Sequence, residues 1–156
     1  MIEQSLKYKY SAIFNEEFEG SSVEDAIKKA LSELKMTKDE LKIKVLFEGQ
    51  KGLFGLKGSK PAKIKVYPNF DKIENVIKFY FIKLLNFVKE SILLADIQMK
   101  KDSVEIIAIL NEKEAFNTVN SKEIYDAIYL LTETFLKKLS LKQKLELTFK
   151  VSASLD

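Results

Sequence analysis

The chain contains no cysteine, histidine, tryptophan or arginine, and only five glycines and two prolines in 156 residues. Each absence removes a class of chemistry. Without cysteine there are no disulfides and no thiol nucleophile. Without histidine as well, a zinc site or a Ser-His or Cys-His nucleophile cannot be assembled. Carboxylate or lysine chemistry remains open, but no spacing marks a site for it. No catalytic residue, metal ligand or cofactor is therefore expected, and the chain reads as a non-enzyme. The lack of arginine also removes the bidentate fork suited to phosphate and guanine. All 26 basic residues are lysines.

No apolar run reaches the roughly 18 residues of a membrane span. The nearest, Phe79 to Val88, is interrupted by Lys83 and Asn86. The opening Met1-Ile2-Glu3-Gln4 does not read as a signal peptide, so a cytoplasmic protein is expected. Apolar residues make up 46% and charged residues 31%, a balance suited to one ordinary domain or two small ones. The net charge of +3 is uneven. Residues 68–156 carry equal numbers of lysines and acids, whereas residues 42–65 carry seven lysines against Glu48 alone. Attraction for a polyanion centres on that segment.

Four of the five glycines lie there too, in Gly49-Gln50-Lys51-Gly52-Leu53-Phe54-Gly55-Leu56-Lys57-Gly58. Spacing excludes a P-loop, and no helix follows as a dinucleotide fingerprint requires. The stretch separates an alternating run, Ile43, Val45 and Phe47 against Lys42 and Lys44, from a second, Ile64 and Val66 against Lys63 and Lys65. It therefore joins a hairpin. Two readings stand: a long loop using glycine for left-handed conformations, or a basic-apolar contact tip made by Lys51, Gly52, Leu53, Phe54, Gly55 and Lys57.

Periodicity supplies the remaining elements. Residues 6–19 alternate loosely as a strand. Ser22 is a candidate N-cap, with Glu24 and Asp25 in the first helical turn, and Val23, Ile27, Ala30, Leu31 and Leu34 form a helical stripe. Thr37-Lys38-Asp39-Glu40 reads as a short capped turn. Tyr67-Pro68-Asn69-Phe70 is the expected boundary, since Pro68 cannot pair inside a sheet. A helix over about 71–91 follows, apolar around much of its circumference, so that one face packs on a sheet and the rest contacts the first domain or a second subunit. Alternating runs mark strands around 95–99, 104–110 and 145–151. Ile124, Ala127, Ile128, Leu131, Phe135 and Leu139 mark another helix. The fold class is α+β: a β-α-β-β domain over 1–67, then an α-β-β-α-(α)-β domain over 71–156, with the extra short helix near 112–118.

Phe18-Glu19-Gly20-Ser21-Ser22-Val23-Glu24-Asp25-Ala26-Ile27, Gly49-Gln50-Lys51-Gly52-Leu53-Phe54-Gly55 and Ser59-Lys60-Pro61-Ala62 resemble the N-terminal domain of the bacterial SpoIIIJ-associated proteins, the Jag/KhpB family. Gln50 stands where that family usually has lysine. The resemblance implies a type II KH domain after the first, then an Arg-x-x-x-His domain. The chain ends at Asp156 about where that third domain begins, so its absence is expected. The segment similar to the family's Gly-x-x-Gly RNA clamp is Val119-Asn120-Ser121-Lys122, with Val119 and Lys122 in place of the glycines. That implies a degenerate KH loop, because the clamp needs glycine for close approach to phosphates. The function implied is RNA binding, weak or altered, with a regulatory role tied to the cell envelope or division. The partners implied are single-stranded RNA, a small KH protein or a second copy of the chain, and the membrane-insertase or envelope machinery. The alternative is a protein-interaction adaptor whose KH-like domain no longer binds RNA.

Overall fold

The structure, a computed structural model, describes residues 14–52, 58–88, 92–111 and 122–153. The chain separates into two compact units, Met1–Val76 and Ile77–Asp156.

The first unit runs β1 (Glu16–Gly20), α1 (Val23–Leu34), a single 3-10 turn (Lys38–Glu40), β2 (Leu41–Phe47) and β3 (Ala62–Pro68). The strands form an antiparallel sheet in the order β1-β3-β2. The β-α-β-β order matches the sequence reading, but β1 begins only at Glu16; residues 6–13 lie outside the described residues. Ser22 caps α1 as its position suggests: its backbone is extended and its Oγ accepts a hydrogen bond from the Asp25 amide at 3.1 Å. Asp25 in turn accepts from the Ser21 amide, which holds its carboxyl below the ordinary range. Thr37 and Glu40 form the reciprocal capping box of the 3-10 turn, the Thr37 amide donating to Glu40 Oε2 at 2.8 Å.

One face of this sheet carries the core. Ala62, Ile64 and Val66 of β3 and Ala26 and Ala30 of α1 have no exposed surface, and Phe18 and Leu34 join them. Gly20 is the closest approach of sheet to helix: a Cβ there would collide with the main chain of Asp25 and Ala26. No other residue type fits without moving α1.

The second unit contains most of α2 (Ile73–Phe87), then β4 (Ile92–Met99), β5 (Ser103–Asn111), α3 (Lys122–Lys138) and β6 (Lys144–Ser152). Its sheet is ordered β4-β5-β6, with β4 antiparallel and β6 parallel to the central β5. The order α-β-β-α-β agrees with the sequence reading; the extra short helix near 112–118 lies outside the described residues. Helix α2 is shorter than the 71–91 read from its apolar breadth. Phe79, Phe81, Ile82 and Leu85 on it are fully buried. Helix α3 is tied down by its tyrosines: Tyr125 and Tyr129 donate to the Leu147 and Leu145 carbonyls of β6, and the Phe135 ring stacks on Tyr80 at 3.9 Å between centroids. The buried Thr132 hydroxyl donates to the Ile128 carbonyl one turn earlier, at 2.7 Å, so the core holds no orphaned donor there.

Candidate nucleic-acid interface

The β2–β3 connection is a hairpin, as its flanking alternation indicates. It is pinched beyond the ladder by a two-way bridge in which Gln50 and Lys60 each donate to the other's carbonyl at 2.9 Å. Gly49 (φ +90°) and Gly58 (φ +81°) stand on either side of that bridge in left-handed backbone. Both therefore need glycine for conformation. Lys51 is exposed and Gly52 half-buried just past the bridge. Leu53, Phe54, Gly55 and Lys57, the other members of the expected contact tip, lie outside the described residues.

The basic character of residues 42–65 is reorganised by pairing. The alternation that buries Phe18 sends Glu17 and Glu19 to the opposite face of β1, against β3. The register sets Glu17 beside Lys65 and Glu19 beside Lys63. Lys63 reaches Glu17 at 3.1 Å and Glu19 at 3.5 Å, and Lys65 reaches Glu17 at 3.0 Å. The Lys65 and Lys63 ammonium groups hold the Glu17 carboxyl below its ordinary value, and Glu17 holds Lys63 above its own. Lys42 pairs with Asp71 at 3.6 Å. Lys44, Lys51 and Lys60 have no carboxylate partner among the described residues. The excess positive charge thus sits along β2 and the hairpin base, not across the whole segment.

Sequence alternation read Ile43, Val45 and Phe47 as one side of a strand; the strand is present, but its alternation breaks. Leu41 is buried and Ile43 half-buried, but Val45, Leu46 and Phe47 are 44%, 41% and 41% exposed. The pairing register shifts between Val45 and Phe47, a β-bulge that re-aims side chains and bends the strand. The signal was present: three consecutive apolar residues cannot satisfy a period of two. Among the described residues, the exposed apolar patch of this hairpin therefore lies on β2 itself.

In the second unit, Val119, Asn120 and Ser121 of the degenerate KH loop lie outside the described residues, and Lys122 is the exposed first residue of α3. Among the described residues no cluster of three or more His, Cys, Asp or Glu could hold a metal ion. No described helix is long and apolar enough to cross a membrane.

Comparison with known proteins places this geometry in a family. A family model described as Jag N-terminus matches residues 18–68, from β1 to the end of β3. The RNA-binding protein KhpB of Bacillus subtilis (strain 168) is 31% identical over 120 residues, which cover 76% of this chain and 56% of that protein. The RNA-binding proteins KhpB of two Streptococcus pneumoniae strains, D39 and R6, are each 45% identical over 49 residues, covering 31% of this chain and 15% of theirs. The chain thus matches about half the length of the Bacillus relative and a smaller share of the streptococcal ones. The glycine-containing helix start, the pinched basic hairpin and these matches agree, and the chain belongs to the Jag/KhpB family.

Proposed function

We propose that this protein binds single-stranded RNA in the manner of a KhpB-type factor, with low affinity, and serves a regulatory role connected with the cell envelope or division. The carrying observation is the 120-residue match to a protein named for RNA binding. Lys44, Lys51 and Lys60, none held by a described carboxylate, supply the phosphate contacts. Three such contacts give a salt dependence of about −2 in log K against log salt for a single strand, at roughly −0.7 per phosphate. That is a shallow slope, and it accords with weak binding. In the second unit Val119 and Lys122 stand where a KH clamp needs glycines, so the proposal assigns that loop a minor part, with Lys122 as its one phosphate contact.

Gel-shift titration of the full chain with single-stranded RNA at low salt tests the reading. Micromolar binding that weakens on Lys51→Ala or Lys57→Ala, and less on Lys122→Ala, is the expected result. No binding at tens of micromolar refutes it, and binding indifferent to all three changes refutes the assignment of the contact to the hairpin and the KH-like loop. A second reading, an adaptor for a protein partner such as a small KH protein, a second copy or the insertase machinery, is favoured by one observation: Val45, Leu46 and Phe47 are exposed in succession. Loss of a co-purifying partner on Phe47→Ala, with no RNA bound by the native chain, would select that reading.

A further inference from the structure

The sheet of the first unit has two faces of different chemistry. Helix α1 covers one. The other displays, in ladder order, Tyr67 beside Lys42, then Lys65 beside Lys44, then Lys63 beside Phe47. Glu17 and Glu19 extend the last two rows on the β1 side. The face is therefore polarised, with carboxylates along the β1 edge and lysines with two aromatic rings toward β2. Phe47 and Tyr67 lie two rows apart, roughly 13 Å along the strands at about 3.3 Å per residue, with Lys44 and Lys65 between them.

Neither ring has a partner for ring or hydroxyl among the described residues. Phe47 makes no aromatic or cation-π contact among the described residues and is 41% exposed. The Tyr67 hydroxyl donates to no described group, whereas those of Tyr80, Tyr125 and Tyr129 each donate to a main-chain carbonyl. An exposed Phe47 ring and a half-buried Tyr67 interleaved with lysines on one sheet face suit unstacked bases and the phosphates between them. The outward face of the second unit's sheet makes the contrast. Its rows are Leu94 and Ile109 with Lys150, Asp96 and Ile107 with Thr148, and Gln98 and Glu105 with Glu146. It has no ring to stack, and Glu105 and Glu146 already engage Lys100.

We infer that the open face of the β1-β3-β2 sheet, on its β2 side, is a stacking surface for single-stranded nucleic acid, with Phe47 and Tyr67 receiving bases and Lys44, Lys42 and Lys65 meeting phosphates. This rests on the RNA-binding reading and gives it a location other than the hairpin tip or the KH-like loop. The Lys42–Asp71 pair is solvent-exposed and the Lys65–Glu17 pair partly so; pairs open to water are weak, and an incoming phosphate can take the place of Asp71 first. The carboxylates on β1 direct the strand along β2.

The test is fluorescence anisotropy of a labelled oligouridylate with the full chain at low salt, native against Phe47→Leu/Tyr67→Leu, which keeps apolar bulk and removes both rings. The expected result is a loss of affinity of about tenfold or more, the scale of one or two base–aromatic stacks. Phe87→Leu, which removes an exposed ring from the other unit, leaves affinity unchanged. If the native chain binds no RNA, the underlying reading fails. If it binds and the double variant binds equally, or Phe87→Leu weakens it as much, the sheet-face inference is overturned while RNA binding stands. If instead the double change abolishes binding of an acidic extended peptide and leaves RNA affinity intact, the face belongs to a protein partner. Ultraviolet cross-linking of the native chain supplies a reading independent of variant folding: adducts on Phe47 or Tyr67 support the inference, and adducts confined to other segments refute it.

Discussion

Three glycines of the first unit separate two costs that are usually confounded, steric exclusion and backbone strain. At Gly20 the backbone is ordinary, but an added Cβ runs into the main chain of Ala26 and Asp25. Main chain at a helix start cannot rotate aside, so α1 must shift off a core that contains Ala26 and Ala30 without exposed surface. Overpacking of this kind costs about 1–3 kcal/mol and occasionally more; with rigid backbone as the obstacle, Gly20→Ala belongs at the upper end. At Gly58 the opposite holds: φ is +81° and no described residue lies within 4 Å of the added Cβ. Strain alone then costs about 1–2 kcal/mol, offset by roughly 0.4–1 kcal/mol from the stiffer unfolded chain. Gly49 combines φ +90° with a Cβ 3.0 Å from the Ala62 amide nitrogen, and falls between. Thermal unfolding followed by circular dichroism reads the series. One kcal/mol moves the midpoint of a domain of 60–100 residues by about 4–8 °C. The expected order of loss is Gly20→Ala, then Gly49→Ala, then Gly58→Ala, with the first lowering the midpoint by about 10 °C or more. Gly58→Asn recovers part of the loss, because asparagine tolerates left-handed backbone; at Gly20 asparagine is worse than alanine. If Gly58→Ala costs as much as Gly20→Ala, or Gly20→Ala costs nothing, the close approach of β1 to α1 is wrong.

Other outcomes follow from single contacts. Ser22→Ala removes the cap of α1 and costs about 1 kcal/mol in urea unfolding, whereas Ser21→Ala costs little, since the Ser21 amide and not its hydroxyl is the main support of Asp25. Glu17 sits below its ordinary pKa of 4.5 because of Lys65 and then Lys63. Its folded value is depressed, so its contribution to stability is complete above about pH 4.5 and is lost as pH falls through the folded value. Glu17→Gln therefore lowers the midpoint slightly at neutral pH and converges with the native chain at low pH, so its acid limb is shallower, a small effect for an exposed group. Tyr80→Phe loses the hydrogen bond to the Leu131 carbonyl but keeps the stack on Phe135. Tyr80→Leu loses both, and the difference between the two variants in urea unfolding is about 0.5–1.5 kcal/mol.

The elements of this fold were legible where a local rule decides them. Ser22 and Thr37 announce helix and turn starts because a cap is a contact between residues three apart. The alternation of Ala62 to Pro68 is clean because β3 is central, and α1 covers every second residue. Legibility failed at β2 for the converse reason. As an edge strand it has one neighbour, and beyond Ile43 the apolar residues are exposed, so apolar character no longer reports burial. The tyrosines of α3 read as ordinary helix residues because their hydroxyls reach β6, about twenty residues away in sequence, and local periodicity is blind to that distance. The clamp positions Val119 to Ser121 and the tip Leu53 to Lys57 were readable only as chemistry. What a substituted glycine or an apolar tip does depends on backbone placement that pattern cannot supply.

Charge was the least legible property, and its cause is register. The segment 42–65 is strongly basic as a string, yet two of its lysines are answered by carboxylates that lie more than forty residues earlier. That answer is not an independent feature of the surface. Because side chains alternate, the pairing that buries Phe18 against α1 necessarily presents Glu17 and Glu19 on the opposite face, beside Lys65 and Lys63. A slip of one residue would bury both carboxylates and expose Phe18, at a cost the core cannot meet. Core formation in β1 therefore dictates the electrostatics of the open face. Its β1 side is made neutral by the same register that makes the unit fold, and Lys44 is left as the strand cation with no carboxylate among the described residues, in the row next to Phe47. The lysine charge left unanswered on this face therefore lies on β2, and its position follows from how the hydrophobic core is built.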